Sequence, residues 1–374
     1  MLSPAAFSAS GRRVVVIGAG IIGASIGYHL ARRGAQVTIV EGIAPAAGAT
    51  GKSFAWINSF SRTPRAYHDL GIIGLLEWHR LQQELGAAKL PIQWGGTIQW
   101  GTTTEQGESL RRSVSRLQSW GGAAREIGSV ELQQLLPGMN VAAIGPTSAI
   151  VASEPEGALE PTLVTKAILD QAQRLGARLE YPVAVTGFVS KGGRVATVRT
   201  SQGEVQADEV VIAAGLGTTA LAASLGASVP LDSSHGVCTR TRPTDEVIKP
   251  VIWASSFNAR QTPDGSVAIS HRMEPVGATK AYGEEVVRSV SEVLPRLAGC
   301  RVEEVTMGLR VLPTDGIPVI GHLPGHANVY VAAMHSGVSL AAVVGQLAAI
   351  EVLGDSKLDV LAPFRPERFA TRNP

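Results

Sequence analysis

Runs of apolar residues alternate along this chain with segments whose apolar positions recur at helical spacing. Residues 14–17 form a continuous apolar run, as is typical of a buried parallel strand. Helical spacing follows over residues 22–33, and residues 36–41 predict a second strand. These three elements predict a β-α-β unit at the start of the chain.

The same two patterns recur to the end of the chain. Helices are predicted over residues 66–86, 105–120, 159–176, 284–294 and 336–353, and strands over residues 208–214 and 329–333. Two stretches mix short strands and turns, and we expect them to be insertions: residues 91–149 and 229–304. We therefore predict an α/β fold with a smaller mixed-sheet, α+β domain formed by these two insertions. The remainder forms a Rossmann-type domain: residues 1–90, 150–228 and 305–374.

Composition narrows the classes of protein that need to be considered. The 374 residues are 45% hydrophobic and 17% charged, as expected of a globular protein. The net charge is only +2 and the basic residues are scattered, so we expect no nucleic-acid partner. The longest apolar stretches are interrupted by glycine, serine or a charged residue, and we therefore expect no membrane span.

The two cysteines, Cys238 and Cys300, are far apart and have neither a metal-binding nor a redox spacing. They give no sign of a disulfide framework, which favours a reducing compartment. The first residues lack the apolar run of a signal peptide. We therefore expect the protein to be cytoplasmic.

A glycine fingerprint connects the first strand to the first helix. Gly18, Gly20 and Gly23 fit G-x-G-x-x-G in the required context, after a strand and before a helix. Gly18 permits a tight turn, Gly20 lets backbone approach a pyrophosphate, and Gly23 allows the helix to pack on the strand. Glu41 ends the second strand, where its carboxylate can accept hydrogen bonds from both ribose hydroxyls. The motif predicts a dinucleotide site but does not decide between FAD and NAD.

Two other glycine-rich segments look like nucleotide sites but lack part of the pattern. Residues 46–53 read AAGATGKS, a relaxed phosphate loop whose first position is Ala46 rather than glycine. Residues 215–220 follow an apolar strand, but no acidic strand end follows at a suitable distance. We interpret the first segment as further backbone donors for the same pyrophosphate, and Gly215 as a strand end that touches the same cofactor.

One arginine lies in an apolar run just before a turn. Residues 308–321 read GLRVLPTDGIPVIG, and the arginine is Arg310. A guanidinium keeps its proton, so a buried one requires a partner. Because its neighbours are apolar, we expect Arg310 to be buried and to bind an anionic ligand, a carboxylate beside the cofactor. The alternative is a structural ion pair with Asp315 or Glu303.

These motifs together resemble the FAD-dependent D-amino-acid oxidase superfamily, in particular its glycine oxidase, sarcosine oxidase and D-amino-acid dehydrogenase branches. The segments that carry the resemblance span nearly the whole length: VVVIGAGIIGASIGYHLARRGAQVTIVE, GATGKSFAWI, EGALEPTLVTKAILDQAQRLGA, ADEVVIAAG, GLRVLPTDGIPVIG, VYVAAMHSGVSLAA and PFRPERF. The resemblance implies that the cofactor is FAD. The Rossmann-type part is then the FAD-binding domain, and the two insertions form the substrate domain.

The resemblance also implies which residues bind FAD. Glu41 would hold the adenosine ribose, and backbone groups of Val183 would contact the adenine. The whole predicted set is Gly18, Gly20, Ile21, Ile22, Gly23, Glu41, Gly42, Ala49, Thr50, Gly51, Lys52, Ser53, Ala55, Trp56, Val183, Gly215, His335, Ser336, Gly337, Val338 and Ser339. Amides at the start of the last helix would stabilise negative charge on the reduced flavin.

Four further comparisons with the family bear on the chemistry. Arg310 falls where amino-acid-oxidising members bind the substrate carboxylate. Gly308 falls where sarcosine oxidases attach flavin through cysteine, so we predict non-covalent FAD; flavin that stays with the protein after acid precipitation would contradict this. Met334 replaces the glycine that is usual before His335. The oxygen-activating lysine of the family has only an uncertain counterpart, Lys280, which leaves oxidase and dehydrogenase both open.

Histidines and aromatic residues are weaker candidates. His335 could act as a general base, but we favour a packing role beside the flavin, because hydride transfer from a neutral amine needs no strong base. His235 and His271 are expected to be satisfied polar groups. His322 and His326 lack a convincing third ligand, so we expect no metal site. Three aromatic residues are candidates either for the pocket wall or for the core: Trp253, Phe257 and Tyr282.

We expect the protein to oxidise the C–N bond of a small amino acid or secondary amine by hydride transfer to flavin N5, giving an imine that hydrolyses. Oxygen or another electron acceptor would reoxidise the flavin. Two alternatives stay open. Turnover by the chain purified alone would exclude an auxiliary subunit of a hetero-oligomeric oxidase, and bound yellow flavin would exclude a pyridine-nucleotide dehydrogenase. The exact substrate, its stereochemistry and the homo- or hetero-oligomeric state are not decided by the sequence.

Overall fold

The computed structural model describes residues 11–60, 62–146, 148–245, 248–271, 277–354 and 356–370. The α-helices in these ranges are α1 (Ile21–Arg32), α2 (Arg65–Leu85), α3 (Thr104–Ser119), α4 (Ser129–Leu135), α5 (Pro161–Arg174), α6 (Thr218–Ala223), α7 (Lys280–Val293) and α8 (Gly337–Gly354). The strands are β1 (Arg13–Ile17), β2 (Gln36–Val40), β3 (Trp56–Ile57), β4 (Ile92–Gln93), β5 (Thr97–Gly101), β6 (Ala124–Glu126), β7 (Ala149–Ser153), β8 (Gly157–Leu159), β9 (Arg178–Glu180), β10 (Val185–Lys191), β11 (Arg194–Thr200), β12 (Gly203–Gln206), β13 (Glu209–Ile212), β14 (Leu231–Thr241), β15 (Val251–Trp253), β16 (Phe257–Gln261), β17 (Val267–His271), β18 (Val302–Pro313), β19 (Val319–Leu323) and β20 (His326–Ala333).

A six-stranded sheet has the order β19-β20-β13-β1-β2-β9. Its strands are parallel except β19, which pairs antiparallel with β20. The strand β1 is apolar because both faces of the sheet are covered. Val14 and Val16 pack with the core of α1, α2, α5 and α8, whereas Val15 and Ile17 pack with residues of β11, β13 and α6. The predicted α/β fold is confirmed.

An eight-stranded sheet has the order β18-β14-β17-β16-β15-β5-β7-β6, in which only the β15 and β5 pair is parallel. Its apolar core includes Trp100, Phe257 and Val286 of α7. The two longest strands, β14 and β18, pair along their lengths, so that Ser234 lies opposite Arg310. This pairing places Arg310 on the outermost strand of the sheet, where it lines the cavity described below.

Two strands of this sheet cross the predicted domain boundaries at residues 150 and 305. β7 pairs with β5 and β6, and β18 pairs with β14, so both lie in the eight-stranded sheet. Smaller sheets are formed by β10-β11-β12 and by β3-β8-β4. The exact limits of the two domains stay a prediction.

Helix α8 is long and apolar enough to cross a membrane by length and composition alone, although its sequence was expected to be too interrupted for this. The glycine and serine residues within this helix lower its hydrophobicity only a little, so its mean hydropathy is 1.7. The helix is 72% buried inside the protein. It packs against α1 so closely that a Cβ built on Gly345 would lie 2.1 Å from the Ser25 Oγ. This is the packing of a core helix.

Candidate active site

A cavity of about 730 Å³ is lined by residues of both large sheets. Ile17, Val40 and Ala213 line it where the parallel strands β1, β2 and β13 end. Its other wall comes from β14, β15, β16, β17 and β18. Ligands of open α/β sheets bind outside the carboxyl ends of the strands. The cavity therefore has the position expected of the site in this fold.

The turn between β1 and α1 leaves no room for side chains. Gly18 has a φ of +106°, in the region that favours glycine, and a Cβ built on it would lie 2.5 Å from the carbonyl oxygen of Ala213. A Cβ on Gly23 would lie 1.9 Å from the Gly18 carbonyl oxygen. Gly20 directly precedes α1 and lines the cavity. The turn thus exposes the N-terminus of α1 to an anionic group.

Glu41 follows β2, and backbone amides hold its carboxylate. Oε2 accepts a hydrogen bond from the Ala19 N–H at 2.9 Å, and Oε1 accepts one from the Ile43 N–H at 2.9 Å. The Val183 N–H donates to the Glu41 carbonyl oxygen at 2.7 Å. Glu41 and Val183 both line the cavity. The carboxylate is therefore fixed beside the fingerprint turn, as a ribose ligand requires.

The loop between β2 and β3 lies against the start of α1. Thr50 Oγ1 accepts a hydrogen bond from the Ile21 N–H at 3.1 Å. After Ser53 the chain continues into β3 rather than into a helix, so residues 46–53 are not a phosphate loop that opens a helix. Ser53 Oγ accepts a hydrogen bond from the Ala55 N–H at 2.9 Å, and Ala55 has a φ of +57°. This loop closes one side of the cavity.

Hydrogen bonds to neighbouring elements fix the start of α8. Ser339 Oγ accepts from the Asn58 N–H at 3.1 Å and donates to the Trp56 carbonyl oxygen at 3.0 Å. The Tyr67 hydroxyl donates to Ser336 Oγ at 2.8 Å. The first turn of α8, which lines the cavity, is thereby held against β3 and α2.

The structure brings the residues predicted to bind the cofactor together around this one cavity. All of them line it except Gly23 and Gly51, which lie in the turns behind the lining. A Cβ built on Gly51 would lie 2.6 Å from the carbonyl oxygen of Ala46. Gly215 follows β13 with a φ of +57° and lines the same cavity, so the second glycine-rich segment belongs to the first site. Direct contact of each residue with the cofactor stays a prediction.

Arg310 lines the cavity, but the prediction that its side chain is buried is wrong. The side chain is exposed because it borders the cavity rather than the packed core of the sheet. Its Nη1 donates to Ser234 Oγ at 3.3 Å and to the carbonyl oxygen of His235 at 2.9 Å. Both partners lie on β14, so this strand pair orients the guanidinium.

Both carboxylates considered as structural partners of Arg310 are engaged elsewhere. Asp315 pairs with Arg368 at 2.6 Å, and Glu303 pairs with Arg242 at 2.8 Å. Within the described part of the chain, Arg310 has no carboxylate partner. Its guanidinium is therefore available to an anion that enters the cavity.

His335 and Met334 lie where β20 leads into α8. Met334 is 5% exposed and lines the cavity, so methionine occupies the position that is usually glycine in the family. His335 also lines the cavity, and its side chain is exposed there. Partial desolvation by the surrounding protein, together with the charges of Arg62 and Arg310, lowers the pKa of His335. The imidazole is therefore neutral at pH 7 and is a weak base.

The lysine that lines the cavity is Lys52 rather than Lys280. Lys280 is exposed at the first position of α7. Lys52 lies against Gly308, since a Cβ built on Gly308 would lie 2.7 Å from the Cβ of Lys52. Position 308 therefore has no space for a larger side chain unless Lys52 moves.

The four weaker histidine candidates do not line the cavity. His326 Nε2 lies 2.7 Å from the carbonyl oxygen of Leu225, and the ring of His322 packs edge-on against Tyr330. His235 contributes its backbone carbonyl to Arg310. Among the residues that the structure describes, no group of three or more His, Cys, Asp and Glu side chains could hold a metal ion.

Trp253 is the one aromatic candidate of the three that lines the cavity. Its indole stacks on that of Trp56, with 4.4 Å between the ring centroids. Phe257 and Tyr282 instead pack in the apolar core of the eight-stranded sheet. Trp253 and Trp56 therefore supply an apolar part of the cavity wall at the end of the loop after β2.

Four polar lining residues were missed by sequence reasoning: Asn58, Cys238, Asn258 and Ser270. Asn258 is 6% exposed and lies in β16, a strand whose residues are all buried. A buried carboxamide in such a strand is a signal for a site, but residues 229–304 were too irregular for a face to be assigned. Burial raises the pKa of the Cys238 thiol, which therefore stays protonated.

The chemistry of the cavity fits a dinucleotide cofactor beside an acid-binding group. The N-termini of α1 and α8 point at it, and the turn at Gly18 admits only bare backbone. Glu41 lies at the strand end where a ribose is bound, and Arg310 provides a cation in the same space. Fold and site thus define a dinucleotide-binding protein. The chain belongs to the FAD dependent oxidoreductase family (DAO), whose model matches residues 13–349. The cofactor is therefore FAD.

Two relatives and one solved structure match this chain over nearly its whole length. Glycine oxidase of Pseudomonas putida is 26% identical over 365 residues, which are 95% of this chain and 98% of that protein. An opine oxidase subunit of Agrobacterium tumefaciens is 24% identical over 376 residues, 95% of this chain and 97% of that one. The crystal structure of L-proline dehydrogenase from P. horikoshii matches with a TM-score of 0.85 at 22% identity, over 96% and 98% of the two chains. The resemblance noted in the sequence is confirmed.

Proposed function

We propose that this flavoprotein oxidises the C–N bond of a small amino acid or secondary amine to an imine, which water hydrolyses to a carbonyl compound and an amine. The observation that carries the proposal is Arg310, a guanidinium available for a carboxylate in the same cavity as the FAD-binding turn. When bound, FAD supplies the two-electron acceptor for the hydride, at its N5 atom. The similarity to a glycine oxidase supports this substrate class.

The proposed task of Arg310 is to orient the substrate. A planar guanidinium can bind both oxygens of a carboxylate. Ser234 and the His235 carbonyl already hold it in place, so little freedom is lost on binding. The stacked indoles of Trp253 and Trp56 then shield the bound substrate from water. A neutral amine held in this way needs only its Cα–H directed at the flavin.

Our proposals for the electron acceptor, the oligomeric state and the cellular location are less detailed. We infer that oxygen or another acceptor reoxidises the flavin, and that the protein works in the cytoplasm. The similarity to an opine oxidase subunit supports a hetero-oligomer as a second candidate. Turnover by the chain purified alone would exclude the need for a second polypeptide, and cell fractionation would check the location.

The substitution Arg310→Lys tests the proposed carboxylate binding. Lysine keeps the charge but loses the bidentate geometry, so we expect KM for the best amino acid substrate to rise about tenfold or more. The FAD content, measured from the visible absorbance, should stay unchanged. Arg242→Lys is the matched control, because Arg242 pairs with Glu303 outside the cavity lining and should leave KM unchanged. Equal KM values in wild type and Arg310→Lys would remove Arg310 from substrate binding.

A further inference from the structure

Three side chains lie next to one another on the cavity wall that the eight-stranded sheet forms. Trp253 on β15 is the cross-strand partner of Asn258 on β16, and Asn258 is the partner of Ser270 on β17. All three residues line the cavity. Directly opposed residues on neighbouring strands present their side chains on the same face. The three polar groups therefore form one line, which we call the polar row.

The polar row makes no hydrogen bonds within the described part of the protein. Asn258 is 6% exposed, and its Oδ1 atom is buried without a hydrogen-bond partner. The amide nitrogen of Asn258, the indole N–H of Trp253 and the hydroxyl of Ser270 also lack a described partner. Trp253 and Ser270 are half-buried, but buried polar groups such as the Asn258 carboxamide are almost always hydrogen-bonded, so its unpartnered oxygen in a cavity indicates a ligand.

The hydrogen-bonding capacity of the row restricts the group that fits it. Trp253 is a donor only, Ser270 can donate or accept, and the carboxamide of Asn258 offers both donors and an acceptor. A planar group with a carbonyl oxygen, a carboxylate or a carboxamide, matches this arrangement. An alkyl group in its place would leave the buried carboxamide unpartnered.

We propose that the substrate has a second arm, a side chain or an N-substituent, that ends in a carboxylate or carboxamide bound by Trp253, Asn258 and Ser270. Arg310 binds the first carboxylate at the same time, so this inference rests on the proposed function. Asn258 is the residue that selects the polar arm. A site built to hydrogen-bond a substrate group discriminates strongly against an analogue that lacks it.

Binding of ligands that cannot be oxidised tests the role of Asn258 without turnover. Oxydiacetate, its monoamide and isobutoxyacetate share one carboxylate and differ in the second arm, which is carboxylate, carboxamide or alkyl. None has a C–N bond at the position of the amine. Dissociation constants are measured with the FAD-loaded protein from the change in the flavin absorbance spectrum on titration.

We expect at least one polar-arm ligand to bind wild type about tenfold or more tightly than isobutoxyacetate. In Asn258→Leu this preference should fall to about threefold or less, and Ser270→Ala should reduce it in part. Thr239→Val is the matched control. Thr239 is a buried residue of the same sheet with an unpartnered hydroxyl, but it packs near α7 and does not line the cavity.

The variants separate this inference from the proposed function. Arg310→Lys should weaken all three ligands, because each keeps the carboxylate that Arg310 binds. Equal binding of the three ligands to wild type, or a preference that survives in both Asn258→Leu and Ser270→Ala, would overturn the second arm while leaving the role of Arg310 intact. Unchanged binding in Arg310→Lys would instead overturn the carboxylate anchor.

Discussion

At the residue scale, His335 is a neutral imidazole beside the proposed reaction centre. Partial desolvation lowers its pKa below the ordinary value of about 6.5, and the guanidinium groups of Arg62 and Arg310 act in the same direction. Arg62 is 3% exposed and is fixed by hydrogen bonds to the Asn58 carbonyl oxygen and the Tyr67 hydroxyl. As the pH rises from acid values, His335 therefore loses its proton before an ordinary histidine does.

Because His335 is already neutral at pH 7, its ionisation should not limit turnover above that pH. We expect His335→Asn to keep the shape of the profile of kcat/KM against pH between pH 7 and 9, and to lower its height by less than about tenfold. The measurement is kcat/KM as a function of pH for both proteins. A wild-type activity that rises with pH over this range, in a way that disappears in His335→Asn, would make His335 the general base.

Residues inside short motifs were predictable from the sequence, whereas residues that meet through strand pairing were not. Glu41 and Gly18 lie in one β-α-β unit, so spacing alone places them together. Lys52 and Gly308 come from distant segments, and their contact depends on how β18 meets the loop after β2. Asn258 faces the cavity because of its register with Trp253. No local sequence pattern predicts the contact of Lys52 with Gly308 or the orientation of Asn258 toward the cavity.

At the element scale, the contact of α1 with α8 holds both helix N-termini at the cavity. Ser25 on α1 and Gly345 on α8 meet so closely that a Cβ on Gly345 would lie 2.8 Å from the backbone carbon of Ser25. These long helices were predicted to within one residue at each end, because their apolar spacing is regular. Helix α7 begins at Lys280 rather than at residue 284, since the side chain of Thr279 caps it.

Gly345→Ala tests this helix contact. Alanine favours the helix by about 1 kcal/mol over glycine, but the added methyl group has no space, and overpacking costs about 1–3 kcal/mol. We expect a net loss of stability, measured by urea unfolding. Ser25→Gly combined with Gly345→Ala should recover only part of the loss, because it removes the side chain but leaves the backbone carbon of Ser25 2.8 Å from the added Cβ. A single variant as stable as wild type would contradict the tight contact.

At the scale of the whole molecule, the site exists because two sheets meet. Glu160 at the start of α5 pairs with Arg240 at 2.5 Å and with Arg260 at 2.9 Å, and these arginines lie on β14 and β16. The indole N–H of Trp56 donates to Thr97 Oγ1 at 2.8 Å, which ties β3 to β5. These contacts place the FAD-binding turns of one sheet opposite Arg310 and Asn258 of the other. The order of elements along the sequence predicted two domains, but only the folded structure shows that both large sheets line one cavity.

The visible spectrum of the purified protein, followed without oxygen while small D-, L- and N-methyl amino acids are added, tests the central claim most directly. We expect a flavin spectrum that at least one of these compounds bleaches, because the substrate passes its hydride to FAD. Admitting air should then restore the colour quickly if oxygen is the acceptor, and slowly if it is not. A colourless protein that does not take up FAD, or bound flavin that no amino acid or amine reduces, would contradict the proposed function.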